Sequence, residues 1–160
     1  MTIDFRLAVA SEKELFRNLL QLYMYDFTEF TDVDINLDGL YTILPDFDSY
    51  WLEQKDNQPY IIRVNNALAG FALIKEVTNE RRIYNYLAHF FILRKFRRQG
   101  IGKEVARNLF SSFKGEWELY QLVRNEPAQK FWTKIINEYT EGEYEEKIEN
   151  GRRYQTFFSK

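Results

Sequence analysis

The sequence predicts one domain of the mixed α/β (α+β) class, a central sheet of about seven strands with helices packed on both faces. Three observations carry this. With 160 residues, 45% of them hydrophobic and 18% aromatic, residues 1–160 can bury a sizeable core as a single unit. Apolar residues recur with a period of two in some stretches and at helical spacing in others, the marks of half-buried strands and amphipathic helices. Asn-Asn and Asn-Gly pairs punctuate the strand-like runs, and these residues tolerate the positive φ of tight hairpin turns.

Residues Ile3 to Val9 alternate as a first strand. Ser11-Glu12-Lys13-Glu14 forms a capping-box pattern ahead of Leu15, Phe16, Leu19, Leu20, Leu22 and Tyr23, which predicts a helix from about Glu12 to Tyr25. Periodicity then fades. From Asp26 to Asp56 an irregular stretch holds nine carboxylates, Asp26, Glu29, Asp32, Asp34, Asp38, Asp46, Asp48, Glu53 and Asp56, against Lys55 alone. Tyr60 to Val64 and Leu68 to Ile74 form a hairpin around Asn65-Asn66. A turn at Asn79-Glu80 leads into a long apolar strand, Arg82 to Leu93. A helix from Gly100 to Phe113 carries Ile101, Val105, Leu109 and Phe113 on one stripe, and a strand follows from Trp117 to Val123. Pro127 suits a first helical turn, and Ala128, Phe131, Trp132, Ile135, Ile136 and Tyr139 repeat behind it. The chain closes with a hairpin, Tyr144 to Ile148 and Arg153 to Ser159, around Asn150-Gly151.

Composition excludes several chemistries. The 22 Lys+Arg and 24 Asp+Glu leave a formal charge of -2, which argues against a nucleic-acid-coating protein. Without cysteine there are no disulfides, thiolate metal sites or cysteine nucleophiles, and one histidine builds no metal centre, so no metal is expected. The first residues lack a basic region followed by an apolar run, and no apolar stretch approaches the roughly 20 residues that span a bilayer. A cytoplasmic protein with neither membrane nor nucleic-acid partner is expected, with homodimerisation left open.

The informative stretch runs from Phe91 to Lys103, a buried strand, a basic loop and two glycines opening a helix. Helix N-termini offer unpaired N–H groups and a partial positive charge, and glycines let a phosphate approach the backbone, so this segment suits a polyphosphate. Arg94, Lys95, Arg97, Arg98, Lys103 and Arg107 add cations. Neither a dinucleotide fingerprint nor a P-loop fits, because Val105, Arg97 and Glu104 stand where those motifs need Gly, Gly and Ser/Thr. Arg97-Arg98-Gln99-Gly100-Ile101-Gly102, with Phe90-Phe91-Ile92 upstream, resembles the Q/R-x-x-G-x-G/A signature of the GNAT superfamily of acyl-CoA N-acyltransferases. Asn125-Glu126-Pro127-Ala128-Gln129-Lys130-Phe131 resembles its N-x-x-A-x-x-F-Y signature, broken by Trp132, and the order of elements is similar along almost the whole chain.

The resemblance implies a mostly antiparallel sheet and an acetyl-CoA-dependent N-acetyltransferase. The amides of Gln99, Gly100, Ile101, Gly102 and Lys103 would hold the pyrophosphate beside Arg97 and Arg98, and the backbone of Ile92, Leu93 and Arg94 would pair with the pantetheine arm. A strand bulge would open the slot, and an amide near Ile92 or Leu93 would polarise the thioester carbonyl. Asn125 would touch the pantetheine or a catalytic water. Trp132 replaces the tyrosine that in relatives protonates the thiolate, and an indole cannot exchange a proton usefully; it reads as core packing, with water or another tyrosine as the acid. His89 is a candidate base for the ammonium of the acceptor, and Tyr86 competes for that role from the opposite face of the alternating strand. The acidic stretch 26–56, set against the basic stretch 94–107, favours a small-molecule or peptide amine as acceptor. The alternative is a catalytically weak acyl-CoA-binding module that docks a protein partner.

Overall fold

The computed structural model describes residues 1–52 and 54–160, so Glu53 of the acidic stretch lies outside the described residues. Strands are β1 (Ile3–Leu7), β2 (Asn57–Val64), β3 (Ala67–Thr78), β4 (Ile83–Ile92), β5 (Gly115–Leu122), β6 (Tyr144–Glu149) and β7 (Arg152–Ser159). Helices are α1 (Lys13–Phe27), the single-turn α2 (Ser49–Leu52), α3 (Ile101–Ser112) and α4 (Glu126–Thr140). The sheet order is β1-β2-β3-β4-β5-β7-β6, and every pairing is antiparallel except β4 with β5. The predicted seven-stranded α+β architecture is what the chain adopts.

Both hairpin turns use their asparagines as expected, with φ of 49° and 68° at Asn65 and Asn66 and 52° and 73° at Asn150 and Gly151. The first helix starts differently. Glu12, not Ser11, organises its entry: the carboxylate accepts the Val9 N–H at 3.0 Å and pairs with Arg6 at 3.1 Å and Arg63 at 2.8 Å. Burial opposes ionisation there, but these donors hold the acid down at about 2. The first strand consequently stops at Leu7 instead of Val9, because Val9 is drawn into the turn.

One face of the sheet packs against α3 and α4 through Ile62, Ala72, Ile74, Leu87, Trp117, Leu119 and Phe157. The other carries α1 and α2 over Ile61, Phe71, Leu73 and Phe91, and that buried cluster includes no residue of β5, β6 or β7. Half of the sheet is therefore uncovered on the α1 side, and this half begins where β4 meets β5.

Candidate active site

The two edges of β4 behave differently. Along β3 the register runs from Gly70 opposite Ile92 to Thr78 opposite Ile83, interrupted between Leu73–His89 and Ile74–Leu87, which leaves Ala88 as a bulged residue. Along β5 only Asn85–Trp117 and Tyr86–Glu118 pair. Asn85, nearly buried, fastens that junction by donating from Nδ2 to the carbonyls of Lys114 at 3.3 Å and of Phe113 and Glu116 at 3.4 Å. Beyond Tyr86 the two strands no longer pair, and the bulge on the other edge of β4 lies two residues further on.

The bulge also overturns the strict alternation expected for this strand. Leu87 joins the α3/α4 core while Ala88 joins the α1 cluster, so the next residue, His89, opposite Leu73, stays on the α1 face. Tyr86 sits opposite Lys75, which reaches Asp46 and the Tyr50 ring on that same face. Tyr86 and His89 therefore share one wall of the gap instead of occupying opposite faces.

Leu93 donates its N–H to the Ala69 carbonyl at 2.8 Å. Antiparallel alternation then turns the backbone groups of His89, Phe91 and Leu93 toward β3 and those of Phe90 and Ile92 toward the gap. Leu93 thus cannot donate the oxyanion amide. Arg97 Nε caps the Ile92 carbonyl at 2.7 Å, which leaves the N–H groups of Phe90 and Ile92 facing the gap.

At the end of the gap, Arg98 and Gly100 take positive φ of 61° and 79°, and α3 begins at Ile101. Its first backbone bond is donated by Glu104 to the Gly100 carbonyl at 3.0 Å, so the N–H groups of Ile101, Gly102 and Lys103 have no helical acceptor. A Cβ at Gly100 would meet nothing within 4 Å, whereas one at Gly102 would press on the Phe131 ring at 3.0 Å. The first glycine keeps an anion-sized approach open; the second lets α3 pack on α4. The Gln99 amide is tied to the Lys95 carbonyl at 2.9 Å.

The acidic and basic stretches meet at one point in the fold, Asp26, and other carboxylates of the acidic stretch pair elsewhere. Asp26 pairs with Arg94 at 3.0 Å and Arg97 at 2.9 Å, Asp48 with Lys13 at 3.0 Å, Asp32 with Arg124 at 3.9 Å, Asp46 with Lys75, and Lys103 with Glu138 at 2.7 Å. Within the basic cluster only Lys95, Arg98 and Arg107 lack an ion pair among the described residues.

His89 shares a 2.9 Å hydrogen bond between Nδ1 and the Tyr23 hydroxyl, and burial lowers its pKa to about 4. Burial raises the pKa of Tyr23 and of Tyr86, and the neighbouring Tyr120 adds to both shifts. Asn125 caps α4 by accepting the Ala128 N–H at 3.2 Å, which explains the spacing of asparagine and alanine in its motif. Trp132 is 7% exposed among Phe90, Phe110 and Phe131, a core residue as expected. Sequence reasoning missed Tyr23, Tyr120, Tyr154 and Arg152. Tyr120 and Tyr154 stand directly opposite each other on β5 and β7, on the face away from Trp117 and Phe157, and that alternation was the available signal.

A group of histidines, cysteines and carboxylates able to hold a metal is absent among the described residues, and no helix there is long and apolar enough to cross a membrane. No curated protein matches the chain in sequence. Solved structures share its fold. An acetyltransferase from Thermus thermophilus superposes with a TM-score of 0.74 at 12% identity, covering 99% of this chain and 97% of its own. The PaiA N-acetyltransferase of Thermoplasma acidophilum in complex with coenzyme A gives 0.65 at 13%, covering 99% of both. Spermidine N-acetyltransferase of Vibrio cholerae, with CoA and spermine, gives 0.66 at 11%, covering 98% and 95%. The model of the acetyltransferase (GNAT) family matches residues 17–136, which take in most of α1, the bulged β4, the glycine turn and most of α4. With the splayed sheet and the open helix start lying inside that match, the chain belongs to the GNAT acetyltransferase family.

Proposed function

We propose that the chain is an acetyl-CoA-dependent N-acetyltransferase that passes an acetyl group directly to an amine of a small molecule or peptide. The observation that carries this is the conjunction of an open β4 edge with the unsatisfied N-terminus of α3. Ile101, Gly102 and Lys103 would receive the pyrophosphate on their N–H groups, with Arg98 as an uncommitted cation beside them. Ile92 and Phe90 would hold the pantetheine arm by their outward backbone, and one of their N–H groups would stabilise the thioester oxygen as it gains charge. Asn125 Nδ2, unused by the cap, would meet the arm from the β5 side. Two structural neighbours were solved with coenzyme A, one of them with spermine, which supports a CoA thioester and an amine as the reactants.

The acceptor nitrogen attacks the thioester carbon; the C–N bond forms, the C–S bond breaks, the nitrogen loses a proton and the sulfur gains one. Tyr86, on the gap wall and backed by Tyr120 at 6.4 Å between ring centres, is assigned as the hydroxyl that replaces the one missing at Trp132, hydrogen-bonding the sulfur as it leaves. His89, neutral at pH 7 with a pKa of about 4, is too weak a base to hold an ammonium proton. We assign it to positioning Tyr23 on the gap wall, with solvent water taking the amine's proton.

Thiol titration of acetyl-CoA mixed with the protein and an amine panel tests the reading. Amine-dependent thiol release is expected; tight CoA binding with no release from any amine would instead support the weakly catalytic binding module. Tyr86→Phe should lower kcat on the order of 100-fold with CoA affinity retained. An unchanged kcat and pH profile would remove Tyr86 from the mechanism.

A further inference from the structure

We propose that the acceptor carries a carboxylate a few bonds from its amine and that Arg152 takes this carboxylate at the β7 wall of the gap. The inference rests on the N-acetyltransferase reading above and narrows its substrate class. Arg152 opens β7, opposite Leu122 of β5, on the half of the sheet that α1 and α2 leave uncovered. Its guanidinium lies 4.6 Å from the centre of the Tyr120 ring. Tyr154 contributes most to favouring its charged form, followed by Tyr120, with Tyr86 also contributing. Tyr86, Tyr120 and Tyr154 follow one another at 6.4 Å and 5.3 Å between ring centres, so this cation stacks on the middle ring of an aromatic row that starts at the gap, one ring away from Tyr86.

Arg152 stands opposite Glu149 of β6, but that carboxylate turns to Lys147, so the exposed guanidinium stacks on Tyr120 with no ion pair of its own. The other cations around these strands are satisfied: Arg82 by Glu118 at 3.0 Å, Arg153 by Glu146 at 2.6 Å and Lys147 by Glu149 at 3.3 Å. No described carboxylate lies within ion-pair distance of Arg152. Asp26 and Asp46, which act on Tyr23 and His89 at the gap wall, are committed to cations of their own, whereas Arg152 is not. A planar guanidinium stacked on a ring keeps its edge free for two parallel hydrogen bonds to a carboxylate. The amine of such a molecule would then extend along the tyrosines toward the parted strands.

The test compares ω-amino acids of graded length with n-alkylamines and diamines of the same length, by thiol release from acetyl-CoA. At the fitting length the amino acid should show the highest kcat/KM. Arg152→Gln should cut the ratio of amino acid to alkylamine kcat/KM about tenfold, and Arg152→Lys should restore part of it, while thermal shifts with CoA report that both variants fold. Peptides bearing a free C-terminal carboxylate form a second arm; preference for them over free amino acids identifies a peptide as the source of the same chemistry. Diamines as the preferred acceptors, or a ratio that Arg152→Gln leaves unchanged, overturn the inference while the N-acetyltransferase reading stands. Silence from every acceptor overturns both.

Discussion

β4 has two edges with opposite properties. Toward β3 it is laddered along its length, and the backbones approach so closely that Gly70 cannot carry a side chain: a Cβ there would collide with the Phe91 carbonyl oxygen and lie 2.9 Å from its carbon. Toward β5 it is joined only at Asn85 and Tyr86 and then opens. The comparison teaches that the second edge can be left unsatisfied because the first is closed. Backbone donors facing an empty edge are costly to bury without partners, but a strand held rigidly on its other side can present them to a ligand.

The largest way to break this contrast is Gly70→Ala, which forces the closed edge apart. It should cost about 3 kcal/mol or more in urea unfolding, since neither backbone can give way cheaply. A loss under about 1 kcal/mol would show that the β3–β4 edge is as compliant as the open one.

Next in size is the acid response of the gap wall. Unfolded, His89 takes a proton near 6.5; folded, burial defers this to about 4. The unfolded state therefore binds more protons between those values, so stability is fully present above pH 6.5 and falls as pH drops toward 4, on the order of 2 kcal/mol. His89→Gln should flatten that limb in denaturation midpoints collected across this pH range.

Gly100→Val tests the mouth of the open edge. Positive φ makes any side chain cost about 1 kcal/mol in stability, and Gly100→Ala shares that cost with less bulk. Calorimetry with CoA should show about tenfold weaker binding for the valine variant than for the alanine variant. Equal affinities would place the phosphates elsewhere.

The smallest effect expected is at Asp26, whose carboxylate engages Arg94 and Arg97 beside the gap. Asp26→Asn should change stability by less than about 1 kcal/mol, because these pairs are partly exposed. CoA affinity should rise a few-fold as two cations are released toward its phosphates, and weaker binding would mean that Asp26 presents the arginines rather than competing for them.

Much of the fold was legible from periodicity, because a residue's preference for one face of a strand or helix is local. The Asn65-Asn66 and Asn150-Gly151 turns, the α3 and α4 stripes and the glycine turn before α3 all follow from short-range sterics and burial. One half of the candidate site was legible for the same reason: the unpaired N–H groups at the start of α3 follow from local helix geometry. The other half was not. Tyr86 and His89 were expected on opposite faces because alternation cannot foresee a bulge, and Ala88 bulges only because β3 and β4 must register on either side of it.

The sequence by itself determined the element order, the turn chemistry, the core stripes and the open helix start, all governed by interactions spanning a few residues. Tertiary structure alone decided three further things. It set which backbone amides face the gap, through the register that commits Leu93 to Ala69. It drew part of the acidic stretch into ion pairs, such as Asp26 with Arg97, 71 residues apart. It also brought Arg152 onto Tyr120 without a counter-ion. Each of these depends on charges or hydrogen-bonding groups distant in sequence meeting in space, and no local pattern encodes such a meeting.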